Sequence, residues 1–134
     1  MKHWFAPLAA VLLLHGVAHA TELLRPADVA AWLQNHPSAV LVDIRTQPEF
    51  DAGHIHGVEH IIWGASPTEQ REFERRIRMA YNADRPILLI CRSGRRSSNA
   101  ARLLEAAGFS RVADLRGGML AWAKADKPVN TPTP

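Results

Sequence analysis

Cys91 is the single cysteine of the chain, and three arginines stand within five residues of it in the run Cys91-Arg92-Ser93-Gly94-Arg95-Arg96. A thiol attacks as its thiolate, so the groups around the sulfur decide whether it reacts. The run follows the apolar stretch Pro86-Ile87-Leu88-Leu89-Ile90 and precedes Ser97 to Ala107, where Ala100, Leu103, Leu104 and Ala107 share one helical face. A strand, a short polar loop and a helix in that order bring the sulfur to a helix N-terminus. There, free backbone N–H groups and the positive end of the helix dipole favour an anion. Arg92, Arg95 and Arg96 add positive charge, Ser93, Ser97 and Ser98 add short hydroxyls, and Gly94 lets successive N–H groups turn inward. The expected product is a Cys91 thiolate in a cradle that also accepts an anionic substrate. A lone cysteine at a strand end is commonly a small buried hydrophobe. Three arginines around it at a strand-to-helix junction move the reading from packing to chemistry.

His54, His56 and His60 form a second group that could do chemistry. His54 and His56 share a face if the segment is extended, and three converging imidazoles would suit copper or zinc. The single cysteine excludes a Cys-based zinc cluster and an internal disulfide framework. The expectation is therefore no metal. Trp32, Trp63, Trp122 and Phe73 read as core or edge packing.

Positioning these groups requires a folded domain, and the chain is long enough for one. It has 134 residues, 47% hydrophobic and 22% charged, which bounds the answer to a single globular domain. The net charge of +3 is spread among interleaved acids, so no nucleic-acid footprint follows from it. Residues 1–20 begin with Met1-Lys2, run apolar from Trp4 to Leu14 and close on Ala18-His19-Ala20, the pattern of a cleaved signal peptide. The apolar run is too short for the roughly 20 residues of a spanning helix, so export without a membrane span after cleavage is expected. The mature domain would then be residues 21–134, with a frayed Pro-rich tail from about residue 129.

Within it, Pro26 to Gln34 reads as a short helix with Val29, Trp32 and Leu33 on one side. Ala39 to Ile44 reads as a strand buried on both faces, Pro48 to Ala52 as one helical turn before Gly53, and Val58 to Trp63 as another short strand. Ser66 to Met79 is a charged helix with Phe73 and Ile77 inward, and its Glu72–Arg76 and Glu74–Arg78 spacings are those of supportive pairs. Arg111 to Leu115 gives a last strand, Gly117-Gly118 a turn and Met119 to Ala125 a final helix. Strands alternating with helices imply an α/β fold with a parallel sheet and ligands at the carboxyl ends of its strands.

The order of these fragments is itself informative. The chain resembles a single-domain rhodanese, similar to the small exported sulfurtransferases of Gram-negative bacteria. The resemblance covers about Leu23 to Pro128. It runs through Val40-Leu41-Val42-Asp43-Ile44-Arg45, Glu49-Phe50, Gly53-His54-Ile55-x-Gly57, the Cys91 to Arg96 loop, and Gly117-Gly118 with Trp122. His56 stands where the family usually has Pro, and Val58 where it usually has Ala. The resemblance implies a three-layer fold with a central, mainly parallel sheet flanked by helices. It implies that Cys91 takes the outer sulfur of a donor such as thiosulfate, holds it as a persulfide and passes it to cyanide, a thiol or a partner protein thiol. Arg96 is the expected contact to the donor anion, with Arg92, Ser93, Gly94 and Arg95 lining the same loop. Asp43, Arg45 and Glu49 match positions of a structural charge cluster beside the site, with Arg45 bracing Glu49. No cofactor is implied, and the exported chain would work in the periplasm.

Two rivals share the residues. An oxyanion phosphatase or arsenate reductase would use a longer Cys-x-x-x-x-x-Arg loop, and this chain has Ser97 at that place, with its arginine one step earlier at Arg96. Such an enzyme would also want an acid for the leaving group, for which Asp43 is the nearest candidate. A persulfide carrier or partner-binding module would keep the same intermediate and hand it to another protein.

Overall fold

The two central strands are short apolar runs that lead into polar residues, Val40–Asp43 into Arg45-Thr46 and Ile87–Ile90 into Cys91-Arg92-Ser93. The computed structural model describes residues 1–2 and 20–131. The apolar part of the expected signal peptide, residues 3–19, lies outside the described residues, as do residues 132–134. In chain order the elements are β1 (Glu22–Leu24), a 3-10 turn (Pro26–Asp28), α1 (Val29–Asn35), β2 (Val40–Asp43), α2 (Gln47–Ala52) and β3 (Glu59–His60). Then follow α3 (Pro67–Ala80), β4 (Ile87–Ile90), α4 (Arg95–Ala106), β5 (Val112–Leu115) and α5 (Gly118–Lys124).

The five strands form one sheet in the order β1-β5-β4-β2-β3, and every pairing is parallel. Alternation along β4 divides the core into two layers. Ile87 and Leu89 pack with Phe73 and Ile77 of α3 and Ala100, Ala101 and Leu104 of α4. Leu88 and Ile90 pack on the other side with Val29 and Trp32 of α1 and Trp122 of α5. The three-layer α/β expectation holds. From β2 the chain moves outward to β3, then returns to place β4 on the opposite side of β2. That reversal makes the carboxyl ends of β2 and β4 the topological switch point of the sheet, the place where open α/β sheets bind ligands.

The local reasons are visible at the helix starts. Thr46 caps α2 and Ser66 caps α3, each in a capping box with the glutamate three residues on, Glu49 and Glu69. Pro48 and Pro67 sit in the first turns, where a missing N–H has no partner to lose. The turn at His56-Gly57 forms despite the two family departures, with Gly57 at φ +79.

Several expectations need correction. β1 was not expected: it has three residues, of which Leu24 alone is buried, and it exists because β5 offers it a parallel edge. The strand expected over Val58 to Trp63 contracts to Glu59–His60, although Ile61 and Trp63 still donate to Asp43 and Ile44 carbonyls at 3.0 Å. On α3, Glu72 pairs with Arg75 at 2.6 Å rather than with Arg76, while Glu74 pairs with Arg78 as expected. The tail does not fray at residue 129. Asn130 forms an antiparallel bridge with His54, through hydrogen bonds of 2.7 and 3.0 Å, and Trp122 Nε1 donates to the Pro128 carbonyl just before it.

Candidate active site

Cys91 follows β4, the middle strand, and two neighbouring elements set the path of its loop. The N–H groups of Met119 and Leu120, on the first turn of α5, donate to the carbonyls of Cys91 and Arg92 at 2.8 and 3.0 Å. With the carbonyls held outward, the following N–H groups turn toward the sulfur. Gly94 occupies a left-handed conformation, φ +96, as the N-cap of α4. Its N–H lies 3.0 Å from Cys91 Sγ, the Ser97 N–H lies 3.4 Å away, and the Ser97 hydroxyl lies 3.2 Å away. Gly118 explains why this junction needs glycine: at φ +59 its Cβ would stand 2.5 Å from backbone atoms of Cys91 and Arg92. The sulfur thus sits at the positive end of a twelve-residue helix with two backbone donors aimed at it, a geometry that stabilises a sulfur anion. Cys91 is 0% exposed, at the base of its loop.

The arginines divide. Arg92 and Arg95 are exposed at the rim. Arg96 turns back to α2, where both of its terminal nitrogens meet the Glu49 carboxylate at 2.8 Å. Hydrogen bonds from Arg96, then from Thr46, hold Glu49 well below the usual carboxylate range, at about 2. Arg96 remains within the electrostatic reach of Cys91. The expected Arg45–Glu49 brace is not formed. Arg45 is buried and clamps Asp43 instead, at 2.7 Å, while the same nitrogen donates to the Gly53 carbonyl at 2.7 Å. The physical reason is reach. Asp43 is fully buried and two residues from Arg45, while Glu49 faces α4 from the first turn of α2. Arg45 therefore ties the end of β2 to the end of α2, and Glu49 ties α2 to the start of α4 beside the Cys91 loop.

The profile of the Rhodanese-like domain family matches residues 25–125. The chain belongs to that family. A sulfurtransferase of Allochromatium vinosum is 34% identical over 100 residues, covering 75% of this chain and 86% of the relative. The thiosulfate sulfurtransferase GlpE of Pseudomonas putida strain GB-1 is 37% identical over 106 residues, covering 79% of this chain and 88% of the relative. Among solved structures, the rhodanese-like domain of the Anabaena protein Alr3790 superposes with a TM-score of 0.70 at 22% identity, covering 84% of this chain and 81% of that one. The Wolinella succinogenes polysulfide-sulfur transferase, a homodimer, gives 0.67 at 23% identity, covering 84% and 80%.

In this rhodanese domain the histidines serve the scaffold. Phe50 is stacked between His54 and His60, with centroids 3.9 and 4.1 Å away and planes within 8° of parallel. Two rings stacked this closely on one phenyl must take its opposite faces, so His54 and His60 are held apart by it. His60 Nε2 lies 2.7 Å from the Arg45 carbonyl and His54 Nδ1 lies 3.0 Å from the Phe50 carbonyl. Among the described residues no group of three histidine, cysteine or acidic side chains is gathered as a metal would need. Asp43, buried and clamped by Arg45, is not placed to protonate a leaving group. Two roles escaped the sequence reading: Glu49 as the partner of Arg96, and Asp114, a carboxyl buried on β5 in what reads as an ordinary strand. The polar residue inside the apolar run Val112 to Leu115 was the available signal.

Proposed function

We propose that this domain is a sulfurtransferase that moves sulfane sulfur from thiosulfate, or a similar anionic donor, to cyanide or a thiol through a Cys91 persulfide. The observation that carries the reading is the convergence of the Gly94 and Ser97 N–H groups on Cys91 Sγ at the start of α4. The relatives' names support the reaction class. In the first half-reaction the Cys91 thiolate forms a bond to the outer sulfur of thiosulfate, the donor's S–S bond breaks, and sulfite leaves with its electron pair. In the second, cyanide or a thiolate takes the terminal sulfur and the Cys91 thiolate leaves. Covalent capture splits one transfer into two easier ones. The loop N–H groups are already oriented for the anionic sulfur, so they need no reorganisation during reaction. The exposed Arg92 and Arg95 supply the field that draws the donor.

The loop length and the clamped Asp43 weigh against phosphate-ester chemistry. We also propose that residues 1–20 direct export and that the mature domain acts in the periplasm, on the strength of the Met1-Lys2 start, the apolar run and Ala18-His19-Ala20. N-terminal sequencing of periplasmic protein tests this, and an intact Met1 in a cytoplasmic fraction overturns it.

Intact mass spectrometry tests the chemistry. The reduced protein should gain one sulfur at Cys91 on addition of thiosulfate and lose it to cyanide. The Cys91→Ser variant should gain none while keeping its unfolding transition. Sulfur uptake by that variant, or a wild type inert to thiosulfate and persulfide donors alike, removes the assignment.

A further inference from the structure

Sulfur transfer calls on Cys91 and its loop, yet the surface around that loop carries charge that the fold leaves unbalanced. Two stretches of chain form it. Residues 91–104, the loop after β4 and most of α4, contain no aspartate or glutamate, and neither do residues 115–125, the end of β5 and α5. They carry Arg92, Arg95, Arg96, Arg102, Arg116 and Lys124. Arg96 is engaged by Glu49, and Arg102 turns to Ser98 and Asn99. Arg92, Arg95 and Arg116 are exposed, and their guanidinium groups meet no carboxylate among the described residues. Elsewhere on the surface, Arg25, Arg75 and Arg78 each pair with an acid three or four residues away.

The two stretches make one face because their backbones touch. A Cβ on Gly94 would stand 3.4 Å from the Gly117 nitrogen and 3.8 Å from the Leu115 carbonyl oxygen, so the Arg116 peptide lies against the Cys91 loop. The Leu120 N–H donates to the Arg92 carbonyl at 3.0 Å. The Leu120 side chain is 51% exposed, an apolar group in basic surroundings. Lys124, one helical turn on, is exposed on the same side of α5.

A small anion needs only the N–H groups that converge on Cys91. Arg116 and Leu120 stand outside that cradle, on another loop and another helix, where they serve a ligand large enough to span both. Unpaired like charges repel one another until an opposite charge joins them. Apolar contact within a charged surround is the pattern of a protein interface, in which the charges set encounter rate and register. A nucleic-acid strand would match the charge but leave Leu120 without a partner, and Trp122, the one aromatic residue of the two stretches, is buried and offers no ring for a base to stack on.

We propose that the face formed by Arg92, Arg95, Arg116 and Leu120 docks an acidic protein segment that presents a thiol, so that the acceptor of the Cys91 sulfur is a cysteine flanked by carboxylates and an apolar residue. This assignment rests on the Cys91 persulfide reading and names its acceptor. The partner thiolate forms a bond to the terminal sulfur of the persulfide, the Cys91 S–S bond breaks, and Cys91 leaves as the thiolate. The partner carries the sulfur away as its own persulfide. Carboxylates beside a cysteine oppose its ionisation, and the guanidinium groups of this face offset that opposition on docking.

The probes are two synthetic peptides, each with one cysteine and one leucine, flanked in one by aspartate and glutamate and in the other by lysine. With Cys91 loaded from thiosulfate, the acidic peptide should take the sulfur with a second-order rate about tenfold higher than the lysine peptide at low salt, and the two rates should converge as salt is added. Arg116→Gln and Leu120→Ala should each slow transfer to the acidic peptide by roughly three- to fivefold. Transfer to mercaptoethanol, small and uncharged, should stay as in the wild type. Equal rates for the two peptides, or a mercaptoethanol rate that falls in step, overturns the docking face. Peptide binding to Cys91→Ser separates docking from chemistry, because that variant forms no persulfide. It should bind the acidic peptide more tightly than the lysine peptide. That preference in a protein inert to every sulfur donor keeps the face and removes the sulfurtransferase assignment; its absence in a protein that passes sulfur to cyanide does the reverse. An oligonucleotide of equal charge that competes as well as the acidic peptide also overturns the proposal, since the face would then answer to charge alone.

Discussion

At the residue scale, the arginine expected to contact the donor anion is itself engaged by a carboxylate. Arg96 gives both terminal nitrogens to Glu49, and Glu49 also closes the capping box of α2 with Thr46. One carboxylate therefore couples the helix after β2 to the loop after β4. Arg96→Ala and Glu49→Gln should each lower sulfur transfer, and the double variant should be little worse than either single. A coupling of about 1 kcal/mol in kcat/KM is expected for side chains in one network; simple additivity would return Arg96 to an independent role. Arg92→Ala and Arg95→Ala act differently, because these side chains are solvated and work through the field. Their effect on kcat/KM should shrink as salt is added, since the screening length falls to about 10 Å at 0.1 M.

At the scale of elements, the loop is shaped by its contact with α5. Gly118 meets the backbone of Cys91 and Arg92, while Gly108, at φ +98, has open space where a Cβ would go. Gly108→Ala should cost about 1–2 kcal/mol, the penalty of a left-handed backbone with a Cβ. Gly118→Ala adds overpacking to that penalty and should cost roughly 2–4 kcal/mol in urea denaturation. It should also abolish sulfur uptake, because the carbonyls of Cys91 and Arg92 lose their seat on α5. Equal stability losses in the two variants, with transfer intact in both, would show that the close approach carries no weight.

For the whole molecule, two carboxylates pull stability in opposite directions with pH. Glu49 ordinarily titrates at 4.5 and in the fold at about 2, so its contribution is complete above 4.5 and is lost as pH falls through about 2. Asp114 ordinarily titrates at 3.8 and in the fold at about 6, so stability falls as pH rises from 3.8 through about 6. Each window is worth on the order of 2 kcal/mol. The denaturation midpoint should therefore rise from pH 2 toward pH 4, then decline toward pH 6. Asp114→Asn should remove the decline and leave the acid limb. A variant that keeps the full decline would mean that another group is responsible.

Much of this molecule is written in local sequence. The apolar run before Cys91, the helical spacing after it and the Gly117-Gly118 pair place a strand, a loop and two helix starts without reference to distant residues. Apolar period and turn chemistry depend on near neighbours, so the place of Cys91 between strand and helix was legible. The ion pairs were not. Asp43, Arg45, Glu49 and Arg96 offer several pairings of opposite charge, and which of them forms depends on where α2 and α4 stand when the sheet is assembled. β1 depends in the same way on an edge supplied by β5, about ninety residues later in the chain. The burial that shifts the Asp114 carboxyl upward exists only after β5 has packed into the sheet. Sequence determined where the Cys91 sulfur stands and the helix end that faces it, because both follow from near neighbours; tertiary packing decided which charges pair around it, because those partners come from separate elements.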